Sequence, residues 1–334
     1  MPNSTDRSTE PCQNDLVVVV HGAWGTSPDE EDTREQARVV SESLVRLGLK
    51  APVVALGPEL VELNAIAHYR PKAIFNLVEG LGGLGRRAHE AARLLEQLGV
   101  PITGVGGAEQ ERVNSKLACK EALRTAGLPT PDWSTDGADL TGPGLWIVKP
   151  VWEHGSLNMD DSSVMVASRV REALSQRHRC SPHLHFAEKY VAGREFNVSI
   201  VESNSGGEVF PPAEMLFIDY PEGALRIVDY AAKWNPDSFG FHHTPRRFVF
   251  PESDDVLLQR LRELSLRVWH LFGLKGYVRI DFRIDEAQQP WILEVNANPC
   301  LAPDAGFVVT ILHSGMSYDQ LIGRLIGAAQ GSLP

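Results

Sequence analysis

The segment GYVRIDFRIDEAQQPWILEVNANP, residues 276–299, places charged and amide side chains two apart on either side of a polar turn. Read as a hairpin with arms 276–284 and 291–298, a register that sets Asp281 across from Glu294 also sets Arg279 across from Asn296. The two-residue period of a strand then puts all four on one sheet face. Directly opposed carboxylates repel unless a cation or a proton sits between them. Two carboxylates and an amide oxygen, with no His or Cys among them, form a hard-oxygen set suited to Mg²⁺. That ion takes one or two carboxylates and completes its octahedron with phosphate oxygens and water. The face therefore predicts a phosphate-bearing substrate; the competing reading is a hairpin whose acids simply point into water.

The lysines upstream weigh against that bland reading. Lys149 ends the apolar run GLWIVKP, Lys116 lies in the first turn of NSKLACKEALRTAG, and Lys233 sits in AAKW. Any one of them alone would pass for a snorkelling surface lysine. Three of them, a metal face and a loop containing Gly155 and Ser156 fit a polyphosphate. In HFAEKYVAGREF, Glu188 and Glu195 supply acceptors suited to an adenine amine and ribose hydroxyls. No GxxxxGK[ST] loop is present, so the standard P-loop nucleotide fold is not supported.

Positioning these residues requires two kinds of layer. Residues 16–20 form a β-branched run, and apolar positions 37, 40, 44 and 47 before Gly48 mark a helix. Short strands at 52–56 and 73–78 and a helix at about 87–98 continue an alternation expected of a parallel α/β unit over residues 15–113. A helix follows, capped by Asn114 or Ser115 and ended by Gly127. The pattern then turns to strands at GLWIVKP, HFAEKYV and REFNVSIVE. Residues 213–250 read as irregular, 254–272 as a long amphipathic helix, and 317–329 as a last helix. The expected boundaries are a loose tail at 1–14, an N-terminal unit at 15–113, a central unit at 114–191 and a C-terminal unit at 192–334.

Composition sets the outer limits. At 334 residues, 43% hydrophobic and 22% charged, the chain reads as a globular protein of two or three domains. Its net charge of −11 argues against nucleic acid as a partner, though not against a local cationic site. Four cysteines without CxxC spacing suggest a reducing compartment, and no apolar run approaches a membrane span. A cytoplasmic location without membrane association is expected. The pairs His183/His185 and His242/His243 lack ligand-spaced partners for zinc, and the basic stretch 169–179 reads as solvated surface.

From about residue 15 to 330 the sequence resembles the ATP-grasp ligases, and within them those similar to D-alanine–D-alanine ligase; the motif at 276–299 is specific. The resemblance implies an N-terminal parallel α/β domain followed by a two-part α+β ATP-grasp fold. It implies that ATP phosphorylates a carboxylate and an amine attacks the acyl phosphate, giving an amide, ADP and phosphate. By motif position, Lys116 and Lys149 would contact the nucleotide, Glu188, Lys189 and Val191 would border the adenine, and Glu195 the ribose. Leu293 joins the nucleotide contacts, Lys233 approaches the γ-phosphate, and Ser156 closes over the phosphates. Asp281, Glu294 and Asn296 would hold two Mg²⁺ ions, for which Mn²⁺ can substitute, and Arg279 would face the acyl phosphate and the oxyanion. Small-molecule carboxylate and amine substrates are implied, and so is a homodimer.

Departures concentrate where substrates would bind. An acidic EREVS-like segment is replaced by HGAWGTSPDEEDTREQ, an LHG-type segment by FNLVEGLGG with Glu79, and a tyrosine after the phosphate lysine by Trp234. NPCLAPDAGF puts Cys300 where relatives have glycine and Asp304 where a neutral hydroxyl is expected nearby. Three readings follow: a carboxylate–amine ligase for amino acids or similar acids, a genuine cell-wall D-alanine–D-alanine ligase, or a nucleotide-binding module without ligase activity.

Overall fold

The computed structural model describes residues 15–23, 25, 28–181 and 183–333; the tail expected at 1–14 lies outside them. Val17–Gly22 (β1) opens on four buried valines. Such a run suits the centre of a parallel layer covered on both faces. It pairs in parallel with Val53–Leu56 (β2) on one side and Ala73–Asn76 (β3) on the other. Pro28–Arg46 (α1), Leu63–Tyr69 (α2) and Ala88–Glu96 (α3) link and cover this sheet. Ala37, Val40 and Leu44 of α1 are buried as their spacing predicts, while Leu47 falls past the helix end and is exposed.

Gly107–Asn114 (α4) and Lys116–Thr125 (α5) lead out of that layer. Ser115 caps α5, its hydroxyl accepting from the Ala118 N–H at 3.3 Å, and Gly127 takes a left-handed φ of +64° just beyond it. Trp133–Ser134 (β4), Leu145–Pro150 (β5), Val164–Val166 (β6) and His185–Lys189 (β7) then form an antiparallel sheet in the order β4-β7-β5-β6. The basic stretch read as solvated surface is a helix, Ala167–Cys180 (α6). Its arginines obscured an inward stripe, Val170 and Leu174, that packs on Val148 and Ala187.

The largest sheet carries the chemistry. Arg194–Ser203 (β8), Gly206–Val209 (β9), Ala213–Met215 (β10), Arg246–Arg247 (β11), Tyr277–Ile284 (β12) and Pro290–Asn296 (β13) are antiparallel. The order is β11-β10-β8-β12-β13, with β9 on β8. The stretch expected to be irregular holds β10, β11, Tyr230–Trp234 (α7) and Phe239–His243 (α8), elements too short to show a period. Asp255–Phe272 (α9) buries Leu257, Leu261, Leu264, Val268 and Phe272 against the sheet. Gly306–His313 (α10), not expected from the sequence, and Tyr318–Ala329 (α11) return to the first layer. There Phe307, Leu321 and Leu325 share a core with Val17, Val19 and Tyr277, so α10 and α11 pack against β1. No helix among the described residues is long and apolar enough to cross a membrane.

Candidate active site

The hairpin has the register its spacing predicts: Arg279 pairs with Asn296 and Asp281 with Glu294. On the other side of β12, Asp281 faces Asn197 and Arg283 faces Glu195. One face of three strands thus presents seven polar side chains. The ladder shifts by one residue after Asp281, leaving Leu293 as the extra residue of a bulge. A bulge re-aims side chains, and here both Leu293 and Glu294 line the same cavity.

Charge on this face is closely balanced. Arg279 grips Asp281 with two hydrogen bonds, 2.8 and 2.9 Å, and the Asn197 amide donates to the same carboxylate at 2.7 Å. Lys116 Nζ lies 3.3 Å from Glu294, and Arg283 lies 2.8 Å from Glu195. Burial alone would raise the Glu294 carboxyl, but Lys116, His154 and Arg279 pull it well below the usual range. Burial works against the charge on Arg279, yet Asp281 and Glu294 hold its pKa above the ordinary arginine value. Lys233 is lowered, by burial first and then by Arg279. Asp281, Glu294 and the Asn296 amide make an all-oxygen donor set on one face, a chemistry that fits a hard divalent cation.

Every residue expected around the nucleotide lines one cavity of about 110 Å³ between the second and third sheets. Lys116, Lys149 and Lys233 enter it from three elements; Glu188, Lys189, Val191 and Glu195 border it along β7 and the turn into β8; Ser156 and Leu293 complete it. Glu188 is buried and ion-paired with both Lys149 and Lys120. Lys120 also donates to Thr130 Oγ1 at 2.7 Å, and burial lowers its pKa despite Glu188. The Lys116 ammonium donates to the Glu153 carbonyl at 2.6 Å.

The loop after Lys149 is held in an unusual conformation. Gly155, Ser156 and Asn158 all have left-handed φ, +71°, +61° and +57°. Such strain in a non-glycine residue persists only where surrounding contacts enforce it. Those contacts come from α7 and the segment before it: Trp234 Nε1 donates to the Gly155 carbonyl at 3.1 Å, Ser156 Oγ to the Val228 carbonyl at 2.6 Å, and the Tyr230 N–H to the Met159 carbonyl at 3.2 Å. The Ser156 hydroxyl, expected to face phosphate, is here a backbone donor. Trp234, in place of the family's tyrosine, anchors the loop.

A second cavity of about 480 Å³ continues from the first, sharing His154, Glu195, Lys233 and Asp281, and adds Arg279 and Asn296. Asp32, Thr33, Glu79 and Cys300 form part of its wall, and Arg246, Asp304 and Gly306 another part. The Cys300 thiol donates to Asp32 at 3.0 Å. Burial, Glu79 and Asp32 push its pKa well above the ordinary value, so it stays a neutral thiol rather than a nucleophile. Gln36 donates to Glu79 at 2.8 Å and accepts from the Leu301 N–H at 3.0 Å, joining α1 to the segment after β13. Asn298 accepts from the Tyr277 hydroxyl at 2.6 Å and donates to the Val78 carbonyl at 3.2 Å, fixing the exit from β13.

Several of these residues escaped the sequence reading. Lys120 is one helical turn beyond Lys116 and Asn197 shares the strand parity of Glu195, so both were within reach of periodicity. His154 lies on a loop and Arg246 on a two-residue strand, while Asp32 is in α1 but meets Cys300 from 268 residues away, so the placement of all three follows from tertiary packing. The histidine pairs set aside for zinc have local roles: His183 Nδ1 is 2.8 Å from Glu153, and His242 Nε2 is 2.6 Å from the Pro236 carbonyl.

The family model described as the D-ala D-ala ligase C-terminus matches residues 144–327, more than half of the chain. The chain belongs to the D-alanine–D-alanine ligase family. A D-alanine–D-alanine ligase of Chromohalobacter salexigens is 29% identical over 343 residues, covering 98% of this chain and 98% of that protein. An uncharacterized protein of Sinorhizobium fredii, y4sG, is 28% identical over 262 residues, covering 77% of this chain and 74% of its own. The crystal structure of a Bacillus anthracis D-alanine–D-alanine ligase complexed with ATP has a TM-score of 0.70 at 17% identity, covering 94% of this chain and 97% of that one. The fold is accordingly the ATP-grasp fold behind a parallel α/β layer, and family membership places the chain among ADP-forming ligases.

Proposed function

We propose that this protein is an ATP-dependent carboxylate–amine ligase that joins two amino acids, or acids resembling them, through an acyl phosphate. One observation carries the reading: a cavity lined by Lys116, Lys149 and Lys233 adjoins a larger one that holds Arg279 and Asn296, and Asp281 and Lys233 stand in both walls. A cavity of about 480 Å³ falls within the size range of small-molecule sites. In residue terms we read 15–113 as the layer closing over the substrates, and 114–191 and 192–334 as the two halves that enclose ATP.

The chemistry runs in two steps. A carboxylate oxygen of the first substrate attacks the γ-phosphorus, the bond to the β,γ-bridging oxygen breaks, and ADP leaves with the electron pair. The amine of the second substrate then attacks the acyl carbon. The resulting tetrahedral intermediate expels inorganic phosphate, the nitrogen gives up a proton, and an amide remains. Phosphoryl transfer requires positioning and charge neutralisation rather than a protein nucleophile. Lys116 and Lys149 hold the nucleotide, Lys233 meets the γ-phosphoryl group, and Arg279, buried and permanently charged, faces the acyl phosphate and the oxyanion. Divalent cations bound by Asp281, Glu294 and Asn296 would neutralise phosphate charge. The loop clasped to α7 excludes water from an intermediate that hydrolyses readily.

The second cavity separates this reading from a simple nucleotide binder, which needs no buried guanidinium beside an acceptor space. Its walls carry acidic Asp32 and Glu79 on one side and basic Arg246 on another, a separation of charge that suits a zwitterion. Cys300, Asp304 and the Cys300–Asp32 contact make these walls unlike the motif pattern of the cell-wall enzyme, so the substrate pair is read as amino acids in general. Incubation with ATP, Mg²⁺ and a panel of L- and D-amino acids tests the proposal by ADP release and product mass. Amide formation with at least one pair is expected; ATP binding with no ADP release for any pair would favour the binding module.

A further inference from the structure

His154 has a position that the ligase reading does not use. It lies between Lys149 and Ser156 in the loop over the nucleotide cavity, and its ring lines both cavities. The side chain is 16% exposed and both ring nitrogens are buried, yet neither has a hydrogen-bond partner among the described residues. Nδ1 lies 3.6 Å from Glu294 Oε1, a long ion contact that helps pull the Glu294 carboxyl down, while Nε2 has no partner among the described residues. In the adjacent residue the Glu153 carbonyl accepts from Lys116, and Glu153 Oε1 is bonded by His183.

Buried polar groups are almost always paired, and an imidazole whose Nε2 has no partner and whose Nδ1 makes only a long contact to Glu294 is an exception that needs a cause. A structural histidine in the core would be tied to a carbonyl or a carboxylate, as His183 is. The orphaned ring instead stands at the junction of the two cavities, whose shared lining also includes Lys233 and Asp281. That junction is where a phosphoryl group must pass from nucleotide to carboxylate.

We propose that His154 is a catalytic residue that donates a ring N–H hydrogen bond to an oxygen of the phosphoryl group in transit. This rests on the ATP-dependent ligase reading. No bond forms to the imidazole; the ring adds a donor where charge on the equatorial oxygens must be met. The contact belongs to the γ-phosphoryl group and not to adenine, ribose or the other phosphates, and this sets the test.

His154→Leu and His154→Gln are compared with the unaltered protein by calorimetric titration with Mg²⁺ and either ADP or the β,γ-imido analogue of ATP, alongside kcat and thermal melts. For His154→Leu, ADP affinity should stay within about twofold while affinity for the imido analogue and kcat each fall about tenfold or more. His154→Gln, which keeps an N–H donor, should recover most of both. Equal weakening for the two nucleotides, no weakening for either, or no recovery with glutamine would overturn the proposal. Should His154→Leu fail to fold, the glutamine variant decides alone: it must then show near-normal discrimination between the two nucleotides. Failure of the unaltered protein to bind either nucleotide would instead sink the ligase reading itself.

Discussion

Asp281 and Glu294 stand opposite one another across the β12–β13 ladder, each already facing cationic side chains. Glu294→Gln keeps the shape and removes one metal-binding charge. ADP formation should fall at least about 100-fold while the melting temperature changes little, because no packed apolar group is lost. Near-normal ADP release would show that Glu294 does not hold the metal.

Lys149 and Lys120 share one buried carboxylate, Glu188, but only Lys149 lines the nucleotide cavity. Lys149→Ala should weaken ATP binding about tenfold, roughly 1.4 kcal/mol. Lys120→Met should act mainly on the fold, costing about 1–3 kcal/mol in urea denaturation because Glu188 loses one of two partners. Unchanged ATP affinity in the first variant would remove Lys149 from the site.

Arg246 has no carboxylate within ion-pair distance among the described residues, and Gly306 leaves room beside it. A Cβ at position 306 would lie 3.2 Å from its Nε. Arg246→Ala is expected to raise KM for the amine substrate about tenfold with KM for ATP unchanged, and Gly306→Ala to do the same more weakly. Equal effects on both Michaelis constants would contradict an acceptor role.

His185 is buried on β7, and burial pushes its imidazole down to about 4, with the His183 carbonyl opposing the shift only in part. Between the ordinary value of about 6.5 and that folded value, the unfolded chain binds more protons than the folded one. Stability must therefore fall as pH drops through this window, by at most about 3 kcal/mol from this residue. His185→Phe should flatten the acid limb of a melting profile; an unchanged slope would assign acid sensitivity elsewhere.

The metal hairpin was legible because strand period and a short turn fix which side chains oppose which, and Asp281, Glu294, Arg279 and Asn296 stand as their spacing requires. The residues expected around a nucleotide fall together in one cavity for a related reason, since they lie on or beside regular strands and helices. The α10 helix was missed: it is one of the most apolar stretches and carries no polar face to mark a period. Trp234 against Gly155 and Cys300 against Asp32 are contacts between segments 79 and 268 residues apart, and no local pattern encodes them. The larger cavity is walled in part by such contacts, and its composition was the less legible for it.

The central claim is transfer of the γ-phosphoryl group to a substrate carboxylate. With ¹⁸O in the carboxylate of the first substrate, ATP, Mg²⁺ and the amine, the inorganic phosphate released should carry ¹⁸O, detected by mass or by the isotope shift in phosphorus NMR. Phosphate free of label while amide accumulates would contradict the account.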